Sequence, residues 1–350
     1  MAKILFFLGL IVLQAVGIVS GVDLSDIFAI QPGTSFGGCD ARANVLDNWH
    51  QEAIDSLDLA VAAIELRYNE NSVLGEQVRQ AMFEFFKVPP MITQGNLKAT
   101  AARISKNIAL VRDLFNGILT NINPDNSFLF CDSNYLVQKD AANDDALDYL
   151  GNPIIVNGNP IKISAVPAYA RDLTGSDVPW WTGDHAPFKG YYFDTPDSGG
   201  RYCASTNLGL TSALKALTQG QTMPQLLRKD TQSVNICPYA FDRADRPDSY
   251  AQGVAAIMVG TSLEPVVPKS STLIHEAFHV VFGTQFLAGK SEYYGLAKCI
   301  DTARVDPVGK ARKNPENYVY FVAAMTYLTG GPDEGINTNW DFTNGPARVP

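Results

Sequence analysis

The stretch Ser271-Thr272-Leu273-Ile274-His275-Glu276-Ala277-Phe278-His279-Val280-Val281-Phe282-Gly283 is the most informative in the chain. Its apolar residues with polar breaks predict a buried helix over Ser271–Val281 that ends at Gly283. On a helix, positions i and i+4 share a face one turn apart, so His275 and His279 present two imidazoles to one point. Two such nitrogens can reach one Zn2+ at ~2.0–2.1 Å. Glu276 lies beside them, where its carboxylate can take a proton from a metal-bound water. The flanking Leu273, Ile274, Phe278, Val280 and Val281 would bury this helix, and a buried His pair beside a carboxylate without a metal is costly.

Two histidines do not hold a catalytic zinc. A third protein ligand is needed, with the fourth position left open for water. No histidine follows His279, which excludes a three-His site. The downstream carboxylates include Glu292, Asp301, Asp306, Glu316 and Asp333. Glu292 is preferred, because the glycine-containing loop after His279 (Gly283, Gly289) can turn the chain back under the helix. Asp301, expected on the next helix, is the alternative.

Outward from this motif, the N-terminus points to the compartment. Met1-Ala2-Lys3 carries one positive charge, Ile4 to Val19 is almost wholly apolar, and Ser20 and Gly21 are small. This is the layout of a secretory signal peptide, expected to be cut near Gly21. The apolar run is short of the ~20 residues a membrane span needs. The five cysteines, Cys39, Cys131, Cys203, Cys237 and Cys299, are too widely spaced for a zinc ribbon. In an oxidising compartment they predict two disulfides and one free thiol, with the pairing left open and Cys299 expected in a disulfide. There is no Asn-x-Ser/Thr sequon.

The 350 residues are 46% apolar and 18% charged, with net charge -9. That balance excludes a disordered tail, and the acidity argues against a nucleic-acid partner, which needs a Lys/Arg surplus. No membrane association is expected once the signal is removed, and a monomer is expected. There is no phosphate-binding glycine loop.

Residues 40 to about 122 read as helical in three runs, the second over about 72–87, stopping at Pro89-Pro90, and the third over about 97–120. One stripe is Val45, Trp49, Ile54, Leu57, Val61 and Ile64; another is Ala101, Ile104, Ile108, Val111, Leu114 and Ile118. From about 126 to 240 the texture predicts short strands at Ser127–Cys131, Ile161–Val166, Tyr191–Phe193 and Val234–Cys237. Trp180-Trp181 reads as part of a loop. Asn314-Pro315 predicts a helix start, with Asn314 as cap, running over Glu316–Leu328 and stopping at Gly330. His50 and His185 read as structural. The order predicts an α+β fold: a signal peptide at 1–21, an N-terminal helical region at 22–122, integral or a removable prosegment, and a catalytic region at 123–350 with a small mixed sheet.

With these residues in place, a family resemblance emerges. His275–His279, Gly283-Thr284, Ser291-Glu292-Tyr293-Tyr294-Gly295 and Asn314-Pro315-Glu316-Asn317-Tyr318 resemble the deuterolysin (aspzincin) metalloendopeptidases, which include lysine-specific fungal enzymes. Cys237-Pro238 is similar to the family's cysteine after a strand. The resemblance covers about 234–328. It implies a zincin-like metalloprotease domain, a bound Zn2+, secretion, and protein or peptide substrates. In the family an aspartate three residues before the Tyr of Tyr-Gly is the third ligand; here that position is Ser291, with Glu292 next to it. The resemblance also implies Tyr294 as an oxyanion donor. Glu316 falls where the family carries an aspartate near the site; it stands as a group behind the ligands, an attractor of a lysine side chain, or an acidic residue at a helix N-terminus. The expectation is a secreted zinc endopeptidase. Its rival is a secreted zinc-binding protein of the same fold without turnover.

Overall fold

The computed structural model describes residues 22–69, 71–89, 95–194, 201–203, 206–220, 223–227, 231–283, 286, 292–330, 339–343 and 345–349. The signal-peptide segment, Thr284, Gly289, Ser291 and Asp333 lie outside them.

The chain opens with a short turn of helix, α1 (Leu24–Ile27), and a two-residue strand, β1 (Ala29–Ile30). Three long helices follow: α2 (Ala43–Leu66), α3 (Val73–Phe86) and α4 (Gly95–Phe115). The strand-rich middle contains β2 (Ser127–Phe130), β3 (Val137–Gln138), β4 (Ile155–Val156), β5 (Asn159–Pro160), β6 (Val178–Trp181), β7 (Tyr191–Asp194), β8 (Gly209–Ala213), β9 (Leu217–Thr218), β10 (Gln225–Leu226) and β11 (Gln232–Ile236). Helices then return as α5 (Pro238–Asp242), α6 (Tyr250–Ala256), α7 (Ser271–Phe282), α8 (Leu296–Val305) and α9 (Pro315–Thr329). The fold is α+β, as the order of elements predicts.

Each long helix forms for an identifiable reason. In α2 the fully buried face is Leu46, Trp49, Ala53, Leu57, Ala60 and Ile64, at three- and four-residue steps. This stripe is rotated from the expected one: Ala53 and Ala60 are fully buried, whereas Val45, Ile54 and Val61 are only partly buried. Helix α3 is capped by Ser72, whose hydroxyl accepts from the Gly75 amide. Helix α4 buries Ala101, Ile104, Ile108, Val111 and Leu114, but it ends at Phe115, so Ile118 is exposed rather than part of the stripe.

Helix α9 is buried on almost every side, with Tyr318, Phe321, Val322 and Met325 essentially inaccessible. A helix apolar all round belongs at the centre of a core. Helices α2, α3 and α7 pack against it, and α4 packs on α2 and α7. The core is therefore continuous across residue 122, drawing on Leu57 and Ile108 from one side and Phe278 and Phe321 from the other. The strand pair β1–β2 and the Cys39–Cys131 disulfide also cross that boundary.

The main sheet has the order β1-β2-β11-β8. The first three strands are parallel, and β8 runs antiparallel along the edge beside β11. A second, antiparallel sheet, β3-β6-β7, is built on aromatic residues. Here Trp180 and Trp181 lie in strand β6, paired with Tyr192 and Tyr191, instead of in a loop. Alternating faces let Trp180 enter one small core and Trp181 another. The expected strand at Ile161–Val166 is instead a 3-10 turn at Ile163–Ala165, where Val166 and Pro167 redirect the chain. Strand β8, polar and glycine-led, was not foreseen.

The two disulfides are Cys39–Cys131 and Cys203–Cys237. Cys299 is the free thiol, contrary to expectation. It is buried on α8, where its Sγ lies 3.2 Å from the Tyr293 carbonyl.

Candidate metal centre

Helix α7 forms where expected and ends at Gly283, which takes a positive φ of 57° that an L side chain resists. His275 and His279 project from one face with ring centroids 5.3 Å apart. After Gly283 the chain returns so that Glu292 sits between them. Its Oε2 lies 3.1 Å from His275 Nε2 and its Oε1 2.6 Å from His279 Nε2. One ligand atom from each of His275, His279 and Glu292 lies within 4.8 Å of the other two.

The donor set fits a divalent ion. Ligands at about 2.1 Å in a tetrahedron stand roughly 3.4 Å from one another; the His275–Glu292 separation of 3.1 Å is close to that and the His279–Glu292 separation of 2.6 Å is shorter. The three side chains are only 9–18% exposed, so their charges are poorly solvated. Burial alone would push the His275 imidazole down, but Glu292 and Glu316 outweigh it and hold it well above the usual range. Burial would likewise raise Glu292, and the two imidazoles instead hold its carboxyl far below the carboxylate range. Both effects show how strongly this pocket favours positive charge beside Glu292.

Glu316 stands in the first turn of α9, and its Oε2 lies 3.1 Å from His275 Nδ1. It thereby fixes the ring with Nε2 facing Glu292. A carboxylate on the outer nitrogen of a metal-binding histidine is the usual support for such a ligand. Of the three readings of Glu316, the contact favours the group behind the ligands.

Glu276 is buried at the wall of the site, 4% exposed. Thr211 of β8 donates its hydroxyl to Glu276 Oε2 at 2.8 Å. A Cβ at Gly209 would lie 2.5 Å from Glu276 Oε1, so glycine is what lets the edge strand come this close. Burial raises the Glu276 carboxyl above its ordinary value, offset in part by His275, His279 and Thr211. Sequence reasoning missed Thr211 and Gly209, since a lone Thr and Gly in a polar stretch carry no pattern.

Tyr294 reaches the site, with its ring stacked 5.7 Å from that of His275 and its hydroxyl donating to Glu292 Oε2. Burial and the Glu292 charge push its phenol up, so it stays a donor. Asp301 is not brought in: it is exposed on α8 and faces Arg304 at 3.7 Å. Asn314 does not cap α9 with its side chain. It turns inward to the Tyr293 carbonyl and to Asn317, bracing the segment that carries Glu292 and Tyr294. His50 is buried against the Phe115 carbonyl at 2.9 Å, and His185 stacks on Phe36; neither joins the site.

A cleft of about 420 Å³ opens beside His275, Glu276, Tyr294 and Glu316, with the start of β8 along one wall. Among the described residues, β8 has no strand on its outer edge. No protein-family model, curated protein or solved structure matches this chain.

Proposed function

We propose that the protein is a secreted zinc-dependent metalloendopeptidase with a zincin-like domain, related to the deuterolysins. The single observation that carries this reading is the convergence of His275, His279 and Glu292 beside a buried Glu276 on the wall of a cleft. Two disulfides and the absence of a membrane-length apolar helix among the described residues are compatible with secretion.

Bound zinc supplies the Lewis acidity that makes water a nucleophile near neutral pH and polarises the scissile carbonyl. The remaining work falls to the chain. The free edge of β8 offers amide and carbonyl groups to an extended peptide. Glu276 accepts the proton of the attacking water and passes it to the leaving amine. Its raised carboxyl suits both halves of that transfer, and Thr211 keeps the carboxylate oriented. Glu316 locks the tautomer and angle of His275. The Tyr294 phenol is the donor placed for the oxyanion that develops on the substrate.

One observation favours a second reading, a zinc-binding protein without turnover: the Tyr294 hydroxyl is engaged with the ligand carboxylate. The test is zinc content of the purified protein together with casein and histone cleavage, with and without a chelator. One zinc per chain and chelator-sensitive cleavage support the peptidase. Zinc without cleavage supports the second reading, and absence of zinc rejects both.

A further inference from the structure

The cleft is not uniformly acidic. Beside the metal-site residues it is lined by Arg243, Arg246 and Tyr320. Two guanidinium groups in one cleft of a chain with net charge -9 invite an account of what they face.

Arg243 is satisfied. It makes a two-pronged contact with Asp245 at 2.8 and 2.6 Å. Arg246 is not. Its nearest carboxylates are Glu264 at 3.5 Å and Asp245 at 3.9 Å, both longer than a good N–H···O bond. Its Nη1 is buried without an acceptor among the described residues, and the hydroxyl of Tyr320 is in the same condition. Tyr320 lies one turn beyond Glu316 on α9, which puts both on one face of that helix. Buried donors without acceptors are costly and call for a partner. Glu316, the acid that would otherwise draw a basic side chain, is already occupied with His275.

One guanidinium nitrogen and a phenol hydroxyl, both without acceptors among the described residues, match a group that only accepts. A carboxylate has two such oxygens and suits the planar fork of arginine. We propose that Arg246 and Tyr320 form a subsite for a substrate carboxylate next to the scissile bond, so that the enzyme selects acidic rather than basic peptides. The carboxylate belongs either to a Glu or Asp side chain, as endopeptidase action requires, or to a free C-terminus, which would make the activity that of a carboxypeptidase. This inference rests on the peptidase reading for its location, although the binding site itself requires only the cleft.

The experiment compares hexapeptides that differ only in Glu, Gln or Lys at one scanned position, each with a free or an amidated C-terminus. Wild-type protein is expected to show at least tenfold higher kcat/KM for one carboxylate-bearing series. A preference for Glu over Gln identifies the side chain, and a preference for free acid over amide identifies the terminus. In Arg246→Gln the ratio falls to within twofold, and in Tyr320→Phe it falls several-fold. Equal rates for the carboxylate and neutral peptides, or a ratio unchanged in Arg246→Gln, overturn the proposal. If Arg246→Gln does not fold, the wild-type ratio decides. If no peptide is cleaved, the peptidase reading fails separately, and equilibrium binding of the same peptides decides the subsite. At least tenfold tighter binding of a carboxylate series supports it, and equal binding overturns it.

Discussion

His275 is held at both ring nitrogens by carboxylates: Glu292 at 3.1 Å from Nε2 and Glu316 at 3.1 Å from Nδ1. The first belongs to the three-residue group that could hold a metal ion and the second lies behind the ring, so the two acids are placed for different jobs. Glu316→Gln keeps an acceptor of the same size but removes the charge. It is expected to weaken zinc binding by roughly 10–100-fold without unfolding the chain. A competitive chelator titration measures this, and unchanged affinity would remove Glu316 from the supporting role.

Glu276 touches Thr211 and lines the cleft but is not one of the three converging ligand groups. Glu276→Gln is therefore expected to retain stoichiometric zinc while peptide cleavage falls by a factor on the order of 10²–10⁴. Metal analysis and a single-peptide assay on the same sample check both halves. Full activity in the variant would reject the assigned proton transfer.

Helix α2 packs on both α7 and α9, and α4 packs on α7. A chain that starts at residue 123 would leave Phe278, Phe321 and their neighbours without half of their core. The expected result is loss of cooperative thermal unfolding, read by circular dichroism at increasing temperature. A sharp melt in the shortened chain would show that the N-terminal helices are dispensable, as a removable prosegment must be.

The disulfide Cys39–Cys131 closes a long loop, with a sequence separation of 92. On the chain-entropy view its removal by the double change Cys39→Ala and Cys131→Ala costs about 4–5 kcal/mol. The Cys203–Cys237 bridge, with a separation of 34, costs about 3–4 kcal/mol by the same reasoning. Urea unfolding midpoints for the two double variants test the order.

Burial lowers the His50 imidazole below its ordinary 6.5, with the Phe115 carbonyl and nearby Asp47 and Asp23 only partly offsetting it. The unfolded chain therefore takes up a proton more readily than the folded one. Stability from this group is complete above about pH 6.5 and declines as pH falls below that value toward the lower folded pKa. His50→Gln keeps a donor for the Phe115 carbonyl and removes the titration. The variant's melting temperature is expected to lose the part of the pH slope below 6.5 that wild type shows.

The arrangement of α7 was legible in the sequence because helical spacing is a local property. Once Leu273, Ile274 and Phe278 bury one side, His275 and His279 must emerge together. The apolar periods of α2 and α4 were readable for the same reason, although in α2 Ala53 and Ala60 are buried while Val45, Ile54 and Val61 are only partly so. Strands were harder. Trp180-Trp181 resembles a loop in one dimension, and only its pairing with Tyr191 and Tyr192 makes it a strand.

The amino-acid sequence by itself determined that two imidazoles and a carboxylate share one turn of helix, since about 3.6 residues per turn bring positions four apart onto one face. Only the tertiary structure decided which distant acids join them, which thiol stays free, and that a glycine and a threonine on an edge strand enclose Glu276. Those choices depend on contacts between residues tens to hundreds of positions apart, where no local period exists to read and packing alone selects the partner.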